Sequence, residues 1–208
     1  MFILLEGIDG AGKGHQRNNL VQHLQGKVNN LVTVDFPDHN GALYQHLIHP
    51  AIHEEIKMSS ESLFLSFALD QSLWQDRIEA SLTSKDEYFI TDGYFTTAIV
   101  YQCIMGEVIT IDEALTFART FGIHQPDFAV YIDVDPEVAM KRKMIEEGHD
   151  EGLDIFERDI EKQQKIRAGF KHLVKNNIFG NWVEVDGNES IEDVFAQITD
   201  ALNKHKII

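Results

Sequence analysis

Phe2-Ile-Leu-Leu-Glu-Gly-Ile-Asp-Gly-Ala-Gly-Lys-Gly14 opens the chain with an apolar run that stops at a glycine-rich turn. Phe2–Glu6 reads as a short buried strand, since a continuous apolar run bounded by glycine suits the interior of a parallel sheet. Gly7–Gly14 matches the spacing G-x-x-x-x-G-K. Lys13–Gln25 then places Leu20, Val21 and Leu24 at helical spacing. A glycine loop between a strand and a helix can hold polyphosphate. Its backbone N–H groups and the helix N-terminus surround phosphate oxygens, and the lysine reaches the terminal phosphates. The expected phosphate contacts are therefore Gly7, Gly10, Ala11, Gly12, Lys13, Gly14 and His15. One position departs from the usual loop: Gly14 stands where a serine or threonine normally helps hold Mg²⁺. His15, next along, either donates to phosphate or faces solvent.

Outward from this loop, short apolar runs alternate with helical spacings. Strands are predicted at Leu31–Phe36, Tyr88–Thr91, Phe128–Val134 and Trp182–Val185. Helices are predicted at Ser60–Leu82, Thr96–Met105, Asp112–Phe121, from Pro136 onward, at Asp154–Val174 and at Ser190–Lys204. The long Ser60–Leu82 stretch has a wide apolar face, which serves either core packing or a contact between subunits. Alternation of this kind gives an α/β fold: a five-stranded parallel sheet covered by helices on both faces. No repeat or linker divides residues 1–208, so one domain is expected, with the acidic, glycine-bounded Glu146–Gly152 inside a short lid at about 143–153. Ligands of such sheets bind at the strand ends. Here those ends carry Gly7–Gly14, Phe36–His39, Asp92–Tyr94 and Asp133–Asp135.

Composition limits the partners. Acidic residues number 34 against 18 basic ones, a formal charge of −16. Nucleic acid and anionic membrane repel such a surface, so neither is expected as a partner. The single Cys103 excludes an intramolecular disulfide and, with no basic leader before Phe2, points to a cytoplasmic protein. His46, His49 and His53 share a helical spacing, but Pro50 interrupts it and no thiol or carboxylate completes a zinc set. The G-x-G-x-x-G dinucleotide pattern is not met, and Cys103 reads as a packed, unreactive side chain.

Taken in order, the later segments resemble the thymidylate (dTMP) kinase family over nearly the whole chain. The carriers are Glu6–Lys13, Phe36-Pro37, Leu65–Asp70, Asp92-Gly-Tyr94 with Thr97–Gln102, Pro126-Asp127 before Tyr131–Ala139, and Asp154–Asp159 with Ile166–Phe170. The resemblance implies a three-layer P-loop kinase fold and transfer of the ATP γ-phosphoryl to a nucleoside monophosphate, most specifically dTMP to dTDP, with Mg²⁺. It also implies a homodimer. By the same resemblance, Lys13, Asp9, Asp92 and Arg142 serve catalysis, and Asp9, Asp92 and Glu157 hold Mg²⁺, in part through water. The acceptor is placed among Asp9, Phe36, Pro37, His39, Phe67, Asp70, Gln71, Tyr94, Thr97, Tyr101 and Phe156.

Four positions where the family places arginine carry other residues: His39, Gln71, Gly93 and Ile155. Phosphoryl transfer depends on cations around the transferring group, so these losses bear on activity. Lys13 remains as the securely placed cation. Lys141, Arg142, Lys143 and Arg158 are candidates from the lid side, and Arg77 or Arg119 from elsewhere. Gln71 has both a donor and an acceptor, so it can still bond a pyrimidine edge. Two rival readings stay open: a kinase for another nucleoside monophosphate, and a weakly catalytic nucleotide-binding protein. Asp133 and Asp135 are expected to cap the helix that follows them.

Overall fold

The computed structural model describes residues 1–145 and 159–208. Strands β1 (Phe2–Glu6), β2 (Asn30–Asp35), β3 (Glu87–Asp92), β4 (Phe128–Asp133) and β5 (Trp182–Asp186) form one sheet in the order β2-β3-β1-β4-β5, all parallel. The central position of β1 follows from its composition. All five of its residues are buried, including Glu6, and only an inner strand with both faces covered offers such a place. From β1 the chain runs first to one side of the sheet and later to the other. Its C-terminal end is therefore the switch point where α/β sheets bind ligands.

Helices α1 (Lys13–Leu24), α3 (Ser60–Ser72), α4 (Gln75–Thr83), α6 (Ile111–Phe121), α7 (Pro136–Ile145), α8 (Ile160–Asn176) and α9 (Ile191–Lys204) flank the sheet. Two more helical segments contain π-turns. Segment α2 joins Tyr44–Ile48 to His49–Ile52, and α5 joins Phe95–Ala98 to Ile99–Met105, the first of each pair in α2 and the second in α5 being π-helical. Aromatic rings fill the space under one face. Phe2 meets Phe89 and Tyr94 edge-on at 5.4 and 5.2 Å, and Phe95 lies against Phe117 and Phe179 at 6.3 and 5.3 Å. Among the described residues, no helix is long and apolar enough to cross a membrane.

The five strands lie where the sequence predicts them, within a residue or two at each end. The long helix expected over Ser60–Leu82 is instead two helices that break at Leu73-Trp74, where Trp74 leaves helical geometry at φ −104°. Trp74 packs edge-on to Phe36 at 6.4 Å and to Phe89 at 6.2 Å, which turns α4 onto the sheet. The apolar rhythm continues through the bend because both helices bury a face. Segment α2 lacked a sequence signal, since Pro50 argued against a helix. Pro50 sits at the first turn of its α-helical half, where no intrahelical N–H is required. The helix expected from Asp154 is described from Ile160, with the Asp159 carboxylate accepting from the N–H groups of Glu161 and Lys162 at 2.9 and 3.3 Å. Most of the expected lid at about 143–153, and with it Ile155, Phe156, Glu157 and Arg158, lies outside the described residues.

Candidate active site

The glycine loop leaves β1 at the switch point. Gly10 adopts φ +80°, and a Cβ there would stand 2.3 Å from the carbonyl oxygen of Ala139, so only glycine lets the loop lie against α7. Gly12 opens α1 without a side-chain cap, leaving the first N–H groups of the helix for an anion. Lys13 folds over the loop. Its Nζ donates to the carbonyls of Gly7 (2.9 Å) and Ile8 (3.1 Å) and lies 3.5 Å from Asp9 Oδ1.

Two carboxylates face this lysine. Burial alone would raise the Asp9 pKa, but Lys13, Lys143 and the Tyr101 hydroxyl, which donates to Oδ2 at 3.2 Å, together hold it below its ordinary value. Asp92, at the end of β3, is 10% exposed and bonded by Arg17 Nη1 at 2.6 Å. Burial outweighs that partner and raises the carboxyl's pKa. Arg17 also lies 3.7 Å from Asp35, and Asp35 accepts from His39 Nδ1 at 2.8 Å. The bond to Asp35 is the main reason the His39 imidazole holds its proton more firmly than usual.

A cavity of about 580 Å³ opens beside the loop. Gly7, Asp9, Lys13, Asp92 and Lys143 line it together with Phe36, Pro37, His39, Phe67, Gln71, Tyr94, Thr97 and Tyr101. The Phe36–Pro37 peptide is cis. Beneath the floor, Glu6 is fully buried and accepts from the hydroxyls of Thr96 (2.5 Å) and Thr97 (2.9 Å). Burial pushes its carboxyl up to about 7.

Some expected site residues lie elsewhere. The Arg142 guanidinium is bonded to the backbone carbonyls of Gly187, Asn188 and Glu189, at 2.7, 3.3 and 3.0 Å, so it braces the turn after β5 and does not line the cavity. From that helix it is Lys143 that faces the cavity. Asp70 is 2% exposed and accepts from the Asp38 N–H at 2.9 Å, so it ties the Pro37–His39 segment to α3 without lining the cavity. His15 is exposed on α1. Arg77 is exposed on α4, and Arg119 bonds Thr116 on its own helix at 2.8 Å. The carboxylates of Asp133 and Asp135 do not cap the next helix. Arg167 takes both, Asp133 at 2.6 and 2.8 Å and Asp135 at 2.6 Å, while the backbone carbonyl of Asp135 receives the N–H groups of Val138 and Ala139.

The family model described as thymidylate kinase matches residues 5–198. The chain belongs to the thymidylate kinase family. It is 27% identical to the thymidylate kinase of Plasmodium falciparum, across 99% of this chain and 91% of that one. It is 28% identical to the thymidylate kinase of Thermosipho africanus, across 99% and 98%. A probable thymidylate kinase of Methanococcus aeolicus is 31% identical, across 100% and 98%. Thymidylate kinases are ATP-dependent phosphotransferases, and membership implies ATP, Mg²⁺ and a nucleoside-monophosphate acceptor.

In this member of the family, the shortage of arginine noted in the sequence has a local counterpart. Arg17, one turn beyond the loop lysine, brings a guanidinium to Asp92 and Asp35, two strand-end carboxylates of the cavity wall. Arg17 does not itself line the cavity; it balances the charge of two residues that do. The signal for Arg17 was its spacing of i+4 from Lys13 on one face of α1. Gly93 is not simply a lost arginine. It adopts φ +68°, and a Cβ would stand 2.7 Å from the Phe36 carbonyl oxygen. Cavity residues that sequence reading left unassigned are Asp35, Tyr44, Ile52, His53 and Gln102. Tyr44, Ile52 and His53 come from or border α2, the segment the sequence did not signal.

The donor set fits Mg²⁺. Asp9 and Asp92 both line the cavity beside Lys13, and a Cβ at Gly14 would lie 3.5 Å from Asp92 Oδ2. The carboxylate thus approaches the place where the usual serine or threonine would project. No group of three or more metal-ligating side chains occurs among the described residues. Asp9 and Asp92 offer the one or two carboxylates with which Mg²⁺ is ordinarily held, beside water and substrate phosphates.

Proposed function

We propose that the protein is a dTMP kinase, converting ATP and dTMP to ADP and dTDP. The observation that supports this reading is one cavity whose wall includes the phosphate-loop lysine, two carboxylates, an aromatic ring at Phe67 and an amide at Gln71. A polyphosphate and a nucleobase can therefore share it. The acceptor phosphate is already nucleophilic, so no strong general base is needed. The chain's task is alignment and charge neutralisation. Lys13 exchanges its bonds to the Gly7 and Ile8 carbonyls for phosphate oxygens. Asp9 and Asp92 would hold Mg²⁺, which would supply positive charge toward the transferring phosphoryl. Arg17 keeps Asp92 oriented, Lys143 supplies positive charge from the cavity rim, and His39 brings an imidazole whose proton Asp35 helps to hold. Phe67 lies along the base.

Release of ADP, coupled to a spectrophotometric readout, is measured with a panel of nucleoside monophosphates. Turnover fastest with dTMP supports the reading. A different best acceptor shifts the substrate, and ATP binding without turnover on any acceptor overturns kinase activity. In the same assay Lys13→Ala lowers kcat by roughly 10²- to 10³-fold, the usual cost of removing a group that stabilises transition-state charge. Unchanged turnover would remove Lys13 from the phosphate site.

The proposal extends to a homodimer formed through α3. Leu65, Leu69 and Leu73 repeat every four residues and are 54%, 50% and 69% exposed, while Phe64, Ala68 and Gln71 of the same helix are buried. The helix therefore has one face for the core and an apolar stripe outside it.

A further inference from the structure

The three histidines whose spacing stands out in the sequence, His46, His49 and His53, lie on α2 or at its end, and the fold brings two of them together. Pro50 does not interrupt that segment. It occupies the first turn of the α-helical half, and the His53 N–H donates to the His49 carbonyl at 3.1 Å, which closes a full helical turn across it. Residues four apart on a helix stand one above the other on the same face. The rings of His49 and His53 accordingly lie 4.3 Å apart, tilted by 38°. Tyr44, from the π-helical half, meets His49 edge-on at 5.4 Å and helps to fix that imidazole. Both histidines are half-buried, and His53 is part of the cavity wall. His46 is exposed. The phosphoryl-transfer machinery uses none of the three.

We infer that His49 and His53 form a two-histidine site for a divalent transition-metal ion such as Zn²⁺, separate from the Mg²⁺ position at Asp9 and Asp92. The ligand chemistry selects the ion. Imidazole suits Zn²⁺, Cu²⁺ and Ni²⁺, whereas Mg²⁺ takes oxygen. Two imidazoles that share one ion at about 2.0–2.1 Å place their ring centres roughly 4.5–5 Å apart. A separation of 4.3 Å therefore needs only a small splay of the two rings. A histidine pair at i and i+4 on one helix face is also how helical zinc motifs present their ligands. Glu54 and Glu55 follow His53 directly and are exposed, and the chain carries a formal charge of −16, so the surroundings favour a cation. No group of three or more ligating side chains occurs among the described residues. Two protein ligands leave the other positions to water or to an anion in the cavity, which makes this an exchangeable ion and not a structural one.

Isothermal titration calorimetry of the full chain with ZnCl₂, at neutral pH and without nucleotide, tests the site. One Zn²⁺ per chain is expected, and a large excess of Mg²⁺ should not displace it. Loss of an outer-shell partner of a metal ligand costs roughly 10- to 100-fold in affinity. Removing one of only two ligands, in His49→Ala or His53→Ala, should therefore weaken binding by at least about tenfold. His46→Ala should leave it unchanged. If the variants do not fold, electron paramagnetic resonance of the wild-type protein with one equivalent of Cu²⁺ decides the matter, hyperfine structure from two imidazole nitrogens being expected. Absence of Zn²⁺ binding, binding unmoved by both His49→Ala and His53→Ala, an equal loss in His46→Ala, or a Cu²⁺ spectrum with oxygen ligands alone overturns the inference. None of these measurements depends on turnover, so the metal site and the kinase reading stand or fall separately.

Discussion

Arg17 and Glu6 show how single side chains set the electrostatics of the site. Arg17 is 15% exposed and bonds Asp92, which is 10% exposed. Removing one partner leaves a buried charge without compensation, and Arg17→Ala is expected to cost about 3 kcal/mol of stability. It should also lower kcat more than it raises KM, because Asp92 loses its orientation. Chemical denaturation and steady-state kinetics check the two effects separately. Glu6 titrates at about 7 in the fold against an ordinary 4.5. The folded state therefore keeps a proton that the unfolded chain releases. Its contribution to stability is complete below about pH 4.5 and is lost as pH rises through about 7, on the order of 3 kcal/mol over the window. Glu6→Gln has no such titration. Melting temperatures between pH 5 and 8 should fall less steeply for that variant than for the wild type.

Individual elements deliver these side chains through junctions more than through their regular parts. Gly93 joins β3 to α5 at φ +68°, with the Phe36 carbonyl where a Cβ would go. Gly93→Ala should therefore destabilise by about 2 kcal/mol, read from urea unfolding, and displace the Phe36-Pro37 wall. A neutral result would mean that the junction relaxes freely. The break at Leu73-Trp74 separates α3, which presents Phe67 and Gln71, from α4, which covers the sheet. The π-turn of α5 closes through the Gly106 N–H bonded to the Tyr101 carbonyl at 3.0 Å, and Tyr101 and Gln102 both line the cavity. π-turns within helices recur at functional sites, and this one fits that pattern.

Across the whole molecule, a formal charge of −16 coexists with a site for polyphosphate. Backbone N–H groups, the α1 N-terminus and a few cations placed at the C-terminal ends of the strands supply the local potential, so the global excess of acid does not oppose it. The exposed leucines of α3 bear on assembly at this scale. Light scattering on the purified protein should give twice the chain mass, and Leu69→Glu should return it to 23.7 kDa by placing a charge on the apolar stripe. A wild-type protein of single-chain mass would remove the proposed dimer.

The strands, the parallel sheet and the phosphate loop were legible in the chain because each rests on local chemistry. Phe2–Glu6 needs burial on both faces, and Gly10 and Lys13 act at fixed spacing within one loop. Many residues of the cavity wall also fall in ordered motifs of the sequence, among them Phe36, Pro37, Phe67, Gln71 and Tyr101. What local patterning lacked was direction. Arg142 and Asp70 carry suitable chemistry, but packing turns Arg142 to the carbonyls after β5 and Asp70 to the Asp38 N–H. Arg17 drew no assignment from the sequence, and Asp92 and Asp35 come to it only from neighbouring strands. Trp74 broke a helix whose periodicity ran on unbroken. Sequence spacing by itself determined which residues share a strand, a loop or a helix face. Only the tertiary structure decided which of them meet across elements, because that depends on long-range packing and on the pairing of buried polar groups.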